Sequence, residues 1–121
     1  ELGPDHKEMV YQKAVSQGLC SAGIEFSEQV HVPLTFQGKT VGRYFLDFLI
    51  ARKMILELKS GMRFTPKNFK QVEAYLVAMK LPLAVLAHFG KDGVTFKRLI
   101  NPLIVPKREF VNSGTIRNSH P

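Results

Sequence analysis

Two short apolar runs separated by a basic link constrain the fold of this chain most strongly. The first run is Tyr44–Ile50, the second is Met54–Lys59, and residues 51–53 join them. Aromatic and aliphatic residues in runs of this length favour β-strands, and a link of three residues favours an antiparallel hairpin. The sequence therefore predicts a hairpin in which residue 50 lies opposite residue 54.

Three charged residues interrupt these apolar runs. Asp47 lies in the first run, and Glu57 and Lys59 lie in the second. The predicted register places residue 47 opposite residue 57. Because side chains alternate between the two faces of a strand, all three charges should point to one face. Two carboxylates across a ladder repel each other and are costly among apolar neighbours, so a compensating cation is expected.

The compensating charge has two candidate sources. A divalent cation would neutralise both acids, because hard cations prefer carboxylate oxygens. Such a cation beside a lysine suits phosphodiester hydrolysis, since the metal polarises the phosphate and the lysine stabilises negative charge. The alternative is an ion pair between Lys59 and one of the acids, without a metal. Strand chemistry alone leaves both open.

Composition narrows the classes of partner. The 121 residues suffice for one domain, and a hydrophobic fraction of 45% is enough for a core. The formal net charge of +7 favours a polyanionic partner such as DNA, RNA or an acidic surface. The basic residues are spread along the chain, so a solvated basic surface without a partner is the alternative.

Several classes of protein are disfavoured. The single cysteine, Cys20, excludes an intrachain disulfide and a thiolate zinc site, and it is typical of a reducing, cytoplasmic setting. No apolar run approaches the length of a membrane span and no secretory signal opens the sequence, so no membrane partner is expected. Neither a P-loop nor a dinucleotide fingerprint nor a nucleophile triad is present.

The first predicted helix spans residues 4–22. Asp5 is a suitable N-cap and Gly23 a suitable end. Glu8 falls on the side of the apolar stripe. An acid in the first turn also fits a capping box and the helix dipole, and spacing alone favours this cap.

The second predicted helix begins at Thr65-Pro66 and ends before Pro82. Gln71 and Tyr75 lie one turn apart and share a face of it. Periodicity alone cannot separate a binding pair from an ordinary amphipathic margin. Lys67 and Lys70 add positive charge to the same helix.

The remaining apolar segments predict three more strands. Residues 26–36 read as a strand in which Pro33 favours an edge position or a bulge. Residues 82–89 are continuously apolar, which is typical of a strand covered on both faces, and Val94–Ile100 follows as the last strand. The predicted order is helix, three strands, helix, two strands. Residues 102–121 show no clear period and are predicted to form an arm or a loosely docked tail.

In this order and spacing, the chain resembles the PD-(D/E)XK nuclease superfamily, and more narrowly the small prokaryotic GxxExxY proteins. The resemblance covers roughly residues 1–101, which we take as one nuclease-like domain. It is carried by ELGP at Glu1–Pro4, EMVY at Glu8–Tyr11, VPL at Val32–Leu34, GRY at Gly42–Tyr44, DFL at Asp47–Leu49, ILELK at Ile55–Lys59 and QVEAYL at Gln71–Leu76.

The resemblance implies a fold and an activity. The fold is α/β (an α+β sandwich), with a restriction-endonuclease-like αβββαβ core and a mixed central sheet flanked by helices. The activity is metal-dependent hydrolysis of nucleic-acid phosphodiester bonds, with DNA the expected substrate and Mg²⁺ or Mn²⁺ the cofactor. The alternative is a non-catalytic nucleic-acid-binding or assembly module that retains the fold. A homodimer is plausible if duplex DNA is cut.

The resemblance also implies residue roles. Asp47, Glu57 and the main-chain carbonyl of Leu58 would bind the cation, and Lys59 would be the catalytic lysine. Glu8, from the first helix, would be a further metal ligand and catalytic residue. The resemblance thus favours a site role for Glu8 over a helix cap. The residues expected near the nucleic-acid backbone lie on the second helix: Gln71, Tyr75, Lys67 and Lys70.

Overall fold

The computed structural model describes residues 4–104 and 115–117. The elements follow in chain order as α1 (Pro4–Ser21), β1 (Phe26–Phe36), β2 (Lys39–Ile50), β3 (Met54–Ser60), α2 (Pro66–Met79), β4 (Leu83–Gly90), β5 (Gly93–Ile100) and β6 (Thr115–Arg117). The predicted order is confirmed, with one short strand added. Within the described part, no helix is long and apolar enough to cross a membrane.

The six strands form one mixed sheet in the order β1-β2-β3-β4-β5-β6. β3 and β4 are parallel, and α2 connects them, while every other pair of neighbours is antiparallel. A parallel pair needs a long crossover, which explains why the second helix lies between these two strands. β1, which contains Pro33, lies at an edge as predicted.

Apolar clusters cover both faces of the sheet. On one face, α2 packs over Ile55, Ala84 and Leu86. On the other face, α1 contributes Tyr11, Val15 and Leu19 to a cluster around Phe48, Leu58 and Ala87. β4 therefore supplies buried side chains to both faces, which confirms that this strand is covered on both sides.

The central hairpin has the predicted register at its closed end. Ile50 pairs with Met54, and Phe48 pairs with Leu56. In the turn, Ala51 and Arg52 have φ of 53° and 59°, and the N–H of Lys53 donates to the carbonyl of Ile50 at 2.9 Å. β2 starts earlier than its apolar run, at Lys39, because β1 pairs along the whole of β2, from Lys39 to Ile50.

Both ends of α2 are fixed by side-chain hydrogen bonds. Thr65 Oγ1 accepts the N–H of Asn68 at 3.2 Å, and Asn68 Oδ1 accepts the N–H of Thr65 at 2.8 Å. This reciprocal cap confirms the predicted start. At the other end, Asn101 is only 1% exposed and donates to the carbonyls of Leu76 and Leu81, each at 3.1 Å.

Most of the predicted arm or tail, residues 102–121, lies outside the described residues. Within it, Thr115–Arg117 pairs antiparallel with Thr95–Lys97 of β5. The division of the chain at residue 101 remains a prediction.

Candidate active site

The pairing between β2 and β3 gives way to side-chain hydrogen bonds next to Asp47 and Glu57. The last paired residues before this point are Phe48 and Leu56. Beyond them, Glu57 Oε2 accepts the main-chain N–H of Asp47 at 2.9 Å, and Asp47 Oδ2 accepts the N–H of Leu58 at 2.7 Å. Each carboxylate thus satisfies a main-chain donor of the opposite strand where the strands separate.

The alternation of β2 is interrupted at the same place. Leu46 packs in the cluster under α2, whereas Phe48, two residues later, packs in the cluster under α1. Side chains two residues apart share a face in a regular strand. The predicted register, which places residue 47 opposite residue 57, continues from the observed pair of Phe48 with Leu56, but the ladder predicted between the two acids is not formed. The two acids meet in a notch where the strands part.

The notch opens into a cavity of about 160 Å³, which is ample room for several water molecules. Both helices and both central strands contribute to its wall. The structure brings together six of the residues predicted for the site: Glu8, Asp47, Glu57, Leu58, Lys59 and Gln71. The prediction missed four further lining residues: Tyr44, Phe64, Asn68 and Val72.

Glu8 reaches the cavity from α1. Its Oε2 accepts the main-chain N–H of Ser60, at the end of β3, at 3.2 Å. The contact spans 52 residues of sequence and directs the carboxylate towards the sheet. The placement agrees with the site position implied by the resemblance.

Tyr44 is the most informative residue that sequence reasoning missed. Its hydroxyl donates to Glu57 Oε1 at 2.9 Å, and its ring stacks on Tyr75 with centroids 4.7 Å apart. Both oxygens of Glu57 therefore accept hydrogen bonds, which fixes the orientation of this carboxylate. The only sequence signal is an aromatic residue with a polar tip at the start of the run that contains Asp47.

The residues expected to contact nucleic acid are placed differently from one another. Gln71 is half-buried and lines the cavity, while Lys67 and Lys70 are exposed on α2 and do not line it. Tyr75 has no exposed surface, and its hydroxyl has no hydrogen-bond partner among the described residues. The geometry gives Tyr75 the role of supporting the Tyr44 ring rather than offering a contact surface.

The electrostatics of the notch favour protonated acids. Burial raises the pKa of Glu57 to about 8, with the charge of Asp47 adding to the effect, while hydrogen bonds from the Asp47 N–H and the Tyr44 hydroxyl oppose it. Burial also raises the pKa of Asp47, and the charge of Glu8 adds to this, against the hydrogen bond from Leu58. Buried acids close together disfavour simultaneous ionisation.

Both tyrosine hydroxyls remain protonated at every ordinary pH. Burial and the neighbouring Glu57 carboxylate raise the pKa of Tyr44 above its usual range. The same two causes raise the pKa of Tyr75 to about 12. A neutral Tyr44 hydroxyl can therefore hold Glu57 whether or not the acid is charged.

No cation of the described residues forms an ion pair with the acids of the notch. Among the described residues, the one salt bridge joins Arg52 to Glu25 at 3.2 Å, on the surface at the hairpin turn. Lys59 lines the cavity without an ion pair to either acid within that part of the chain. An ion pair with Lys59 therefore does not compensate the charge of either acid. A buried charge without a partner is unfavourable, so another form of compensation is required.

The donor set fits a hard divalent cation. The carboxylates of Glu8, Asp47 and Glu57 around a small polar cavity are the kind of oxygen ligand that Mg²⁺ and Mn²⁺ prefer. Within residues 4–104 and 115–117, no three acidic, histidine or cysteine side chains already stand close enough to form a ready-made metal site. The carboxylates instead contact the main chain and Tyr44, so cation binding would require them to exchange some of these hydrogen bonds.

Comparison with known proteins supports the interpretation of the fold. The family model described as the PD-(D/E)XK nuclease superfamily matches residues 1–99. No curated protein matches the chain in sequence.

Two solved structures share the fold. An alkaline exonuclease, LHK-Exo from Laribacter hongkongensis, aligns with a TM-score of 0.56 and 13% identity, covering 83% of this chain and 60% of the exonuclease. The crystal structure titled SSO0001 aligns with a TM-score of 0.58 and 14% identity, covering 78% of this chain and 50% of that protein. The chain thus spans 50–60% of the length of these proteins.

The sequence match covers both strands that carry the acids and the lysine, and the sheet order and flanking helices agree with it. The chain belongs to the PD-(D/E)XK nuclease superfamily.

Proposed function

We propose that this protein is a metal-dependent nuclease that hydrolyses phosphodiester bonds in nucleic acid, with DNA as the substrate. The observation that carries the proposal is the set of three carboxylates, from Glu8, Asp47 and Glu57, that face one cavity beside Lys59. No described cation forms an ion pair with these acids. A site of this kind is built to accept a cation from solution.

Each residue has a chemical task in this proposal. Asp47, Glu57, Glu8 and the carbonyl of Leu58 would hold Mg²⁺ or Mn²⁺. The bound metal would supply Lewis-acid polarisation of the phosphate and a lowered pKa for water. The ammonium group of Lys59 would stabilise negative charge that develops on the phosphate.

The charge of the protein supports a nucleic-acid substrate. The net charge is +7, and Lys67 and Lys70 are exposed on α2, the helix whose Gln71 lines the cavity. Lysines at such positions attract the phosphate backbone without reading bases. The proposal therefore includes phosphate contacts from these residues and no sequence specificity.

Three finer assignments belong to the same proposal. The motifs at Glu8–Tyr11 and Gln71–Leu76 support membership of the GxxExxY proteins. A homodimer belongs to this proposal only if both strands of a duplex are cut, since one protomer offers one notch. The single cysteine supports a reducing, cytoplasmic setting.

One observation favours a second function, a nucleic-acid-binding module without catalysis. The carboxylates already accept hydrogen bonds from Leu58, Asp47, Ser60 and Tyr44. A site in which these bonds outcompete a cation would keep the fold and bind nucleic acid without cutting it.

Cleavage and metal binding should be measured separately to test the proposal. Purified protein is incubated with single-stranded, duplex and branched DNA and with RNA, in Mg²⁺, Mn²⁺ or EDTA. We expect divalent-dependent cleavage that is lost in Lys59→Ala and in Asp47→Asn. Lys53→Ala, an exposed lysine in the hairpin turn, is the matched control and should cut normally.

Calorimetric titration with Mn²⁺ distinguishes the two functions. The nuclease proposal requires binding to the parent and to Lys59→Ala, and weaker binding to Asp47→Asn. Absence of both Mn²⁺ binding and cleavage, with nucleic-acid binding retained, would establish the non-catalytic module instead.

A further inference from the structure

The face of the β1–β2 hairpin that points away from α2 carries an exposed aromatic pair. Val32 and Tyr44 of this hairpin pack in the cluster under α2. Their neighbours His31 and Phe45 alternate to the opposite face, where they are direct cross-strand partners. Their rings lie 5.2 Å apart, and the Phe45 side chain is 56% exposed.

A second cross-strand pair extends this surface along the hairpin. Pro33 pairs with Arg43, and both are exposed. We call His31, Pro33, Arg43 and Phe45 the hairpin face. Phe45 is not among the residues of the apolar cluster under α1. The exposed Phe45 ring and the exposed Arg43 side chain therefore offer a partner an aromatic face and a positive charge on one side of the hairpin.

The charge of the hairpin indicates the chemistry of its partner. Between Glu28 on β1 and Asp47 on β2, the part of the hairpin nearest its turn carries two cations, Lys39 and Arg43, and no acid. The first acid on β2 is Asp47, which belongs to the notch. A surface with cations and aromatic rings complements single-stranded nucleic acid. The cations attract the phosphates, and the rings can stack on unpaired bases.

The hairpin face includes residues on the same strand as Asp47 of the notch, so one nucleic-acid strand can contact both. Phe45 lies two residues before Asp47, or about 7 Å along the strand. A nucleic-acid strand that runs along β2 from Asp47 towards Phe45 would bring a neighbouring base to the Phe45 ring. Stacking on this ring needs an unpaired base, because a duplex hides the faces of its bases.

We infer that the hairpin face is a stacking platform for single-stranded nucleic acid, on which Phe45 and His31 contact a base and Arg43 contacts a phosphate. The inference rests on the proposed nuclease function, because it names the class of substrate that the notch receives. The hairpin face would bind single-stranded nucleic acid more tightly than duplex nucleic acid.

Binding can be tested without any cleavage. The inert Lys59→Ala variant is titrated, in EDTA, into a fluorescein-labelled oligothymidylate of about 12 nucleotides and into a duplex of equal length. Fluorescence anisotropy gives the affinities. Because no metal is present, failure of the nuclease proposal would leave this measurement intact.

We expect Phe45→Ala in this background to weaken binding of the single strand about 10-fold. Phe45→Trp should retain the affinity. Phe45→Ala should leave the dependence of log K on log salt unchanged, whereas Arg43→Ala should reduce its slope by about 0.7, the value for one lost phosphate contact on a single strand. Val77→Ala, an apolar residue of α2 that is 41% exposed, is the matched control.

Three results would overturn the inference. The first is an unchanged single-strand affinity in Phe45→Ala with normal circular dichroism. The second is an equal loss of affinity for the duplex, which would indicate backbone contacts alone. The third is a parent that sediments as a dimer and becomes monomeric in Phe45→Ala, which would assign the hairpin face to a second copy of the chain.

Discussion

Glu57 accepts the main-chain N–H of Asp47 through its side-chain carboxylate, at 2.9 Å. The bond links two acids that would repel each other if both were charged and uncompensated. It also replaces a main-chain hydrogen bond of the ladder between β2 and β3, which stops at this point. Hydrogen bonds to the main chain therefore hold two acids close together although their charges repel each other.

The stability of the metal-free protein should fall as the pH rises. The pKa of Glu57 is raised to about 8 from its ordinary value of 4.5, so the folded state retains a proton that the unfolded state has lost. This contribution to the free energy of unfolding is complete below pH 4.5 and is lost as the pH rises through 8. A loss on the order of a few kcal/mol is expected.

Thermal melts in EDTA between pH 5 and pH 8 measure this effect. Glu57→Gln should flatten the dependence and melt above the parent at pH 8, since it removes the buried charge. Glu73→Gln, an exposed glutamate of α2, is the control. An equally steep decline in Glu57→Gln would place the titrating group elsewhere.

Tyr44→Phe should weaken cation binding about 10-fold without disrupting the fold. The substitution removes the hydroxyl that donates to Glu57 Oε1 and keeps the ring that stacks on Tyr75. Calorimetric titration with Mn²⁺ measures the change. Tyr11→Phe, which keeps the stacking of residue 11 on Phe89, is the matched control. Identical Mn²⁺ affinities for the two variants would show that Tyr44 does not orient Glu57.

Tyr75→Phe should be neutral or stabilise the protein by up to about 1 kcal/mol. The Tyr75 hydroxyl is buried without a partner among the described residues, so its removal relieves a desolvated group. Urea denaturation gives the free energy of unfolding. Because Tyr75 has no exposed surface, affinity for single-stranded DNA should also be unchanged. A marked loss of that affinity would restore Tyr75 as a direct contact.

Glu8→Gln should lower the affinity for Mn²⁺ by about 10-fold, since it removes one charge from the cavity while an amide oxygen can still accept the Ser60 N–H. Glu28→Gln is the matched control. Glu28 also lies against α1, but it contacts Ser16 and Gln12 rather than the notch. Equal Mn²⁺ affinity in the two variants would return Glu8 to a structural role.

Asn101→Ala should destabilise the fold by about 2–4 kcal/mol. Asn101 donates to the last carbonyls around the end of α2, and its Oδ1 accepts the N–H of Leu103 at 3.0 Å. Chemical denaturation tests this, with Leu103→Ala, 76% exposed, as the control. A loss below 1 kcal/mol would show that water satisfies these carbonyls.

The sequence by itself determined the features that depend on neighbouring residues. Thr65-Pro66 begins α2 because a cap and a proline act within one turn. The 51–53 link sets residue 50 opposite residue 54 because a short turn fixes register. The motif spacing then indicated which acids and which lysine would share a site, and Glu8, Asp47, Glu57, Lys59 and Gln71 do line one cavity.

Only the tertiary structure decided how those residues meet. The break in alternation at Asp47 and the exchange of carboxylate and main-chain bonds depend on two strands that separate, which no local pattern encodes. The roles of Tyr44 and Asn101 arise from contacts across 13 and 25 residues of sequence. Tyr75 is covered because α2 packs on the sheet. Such contacts join residues that are far apart in the sequence and form only when the chain is folded. A local sequence pattern therefore does not predict them.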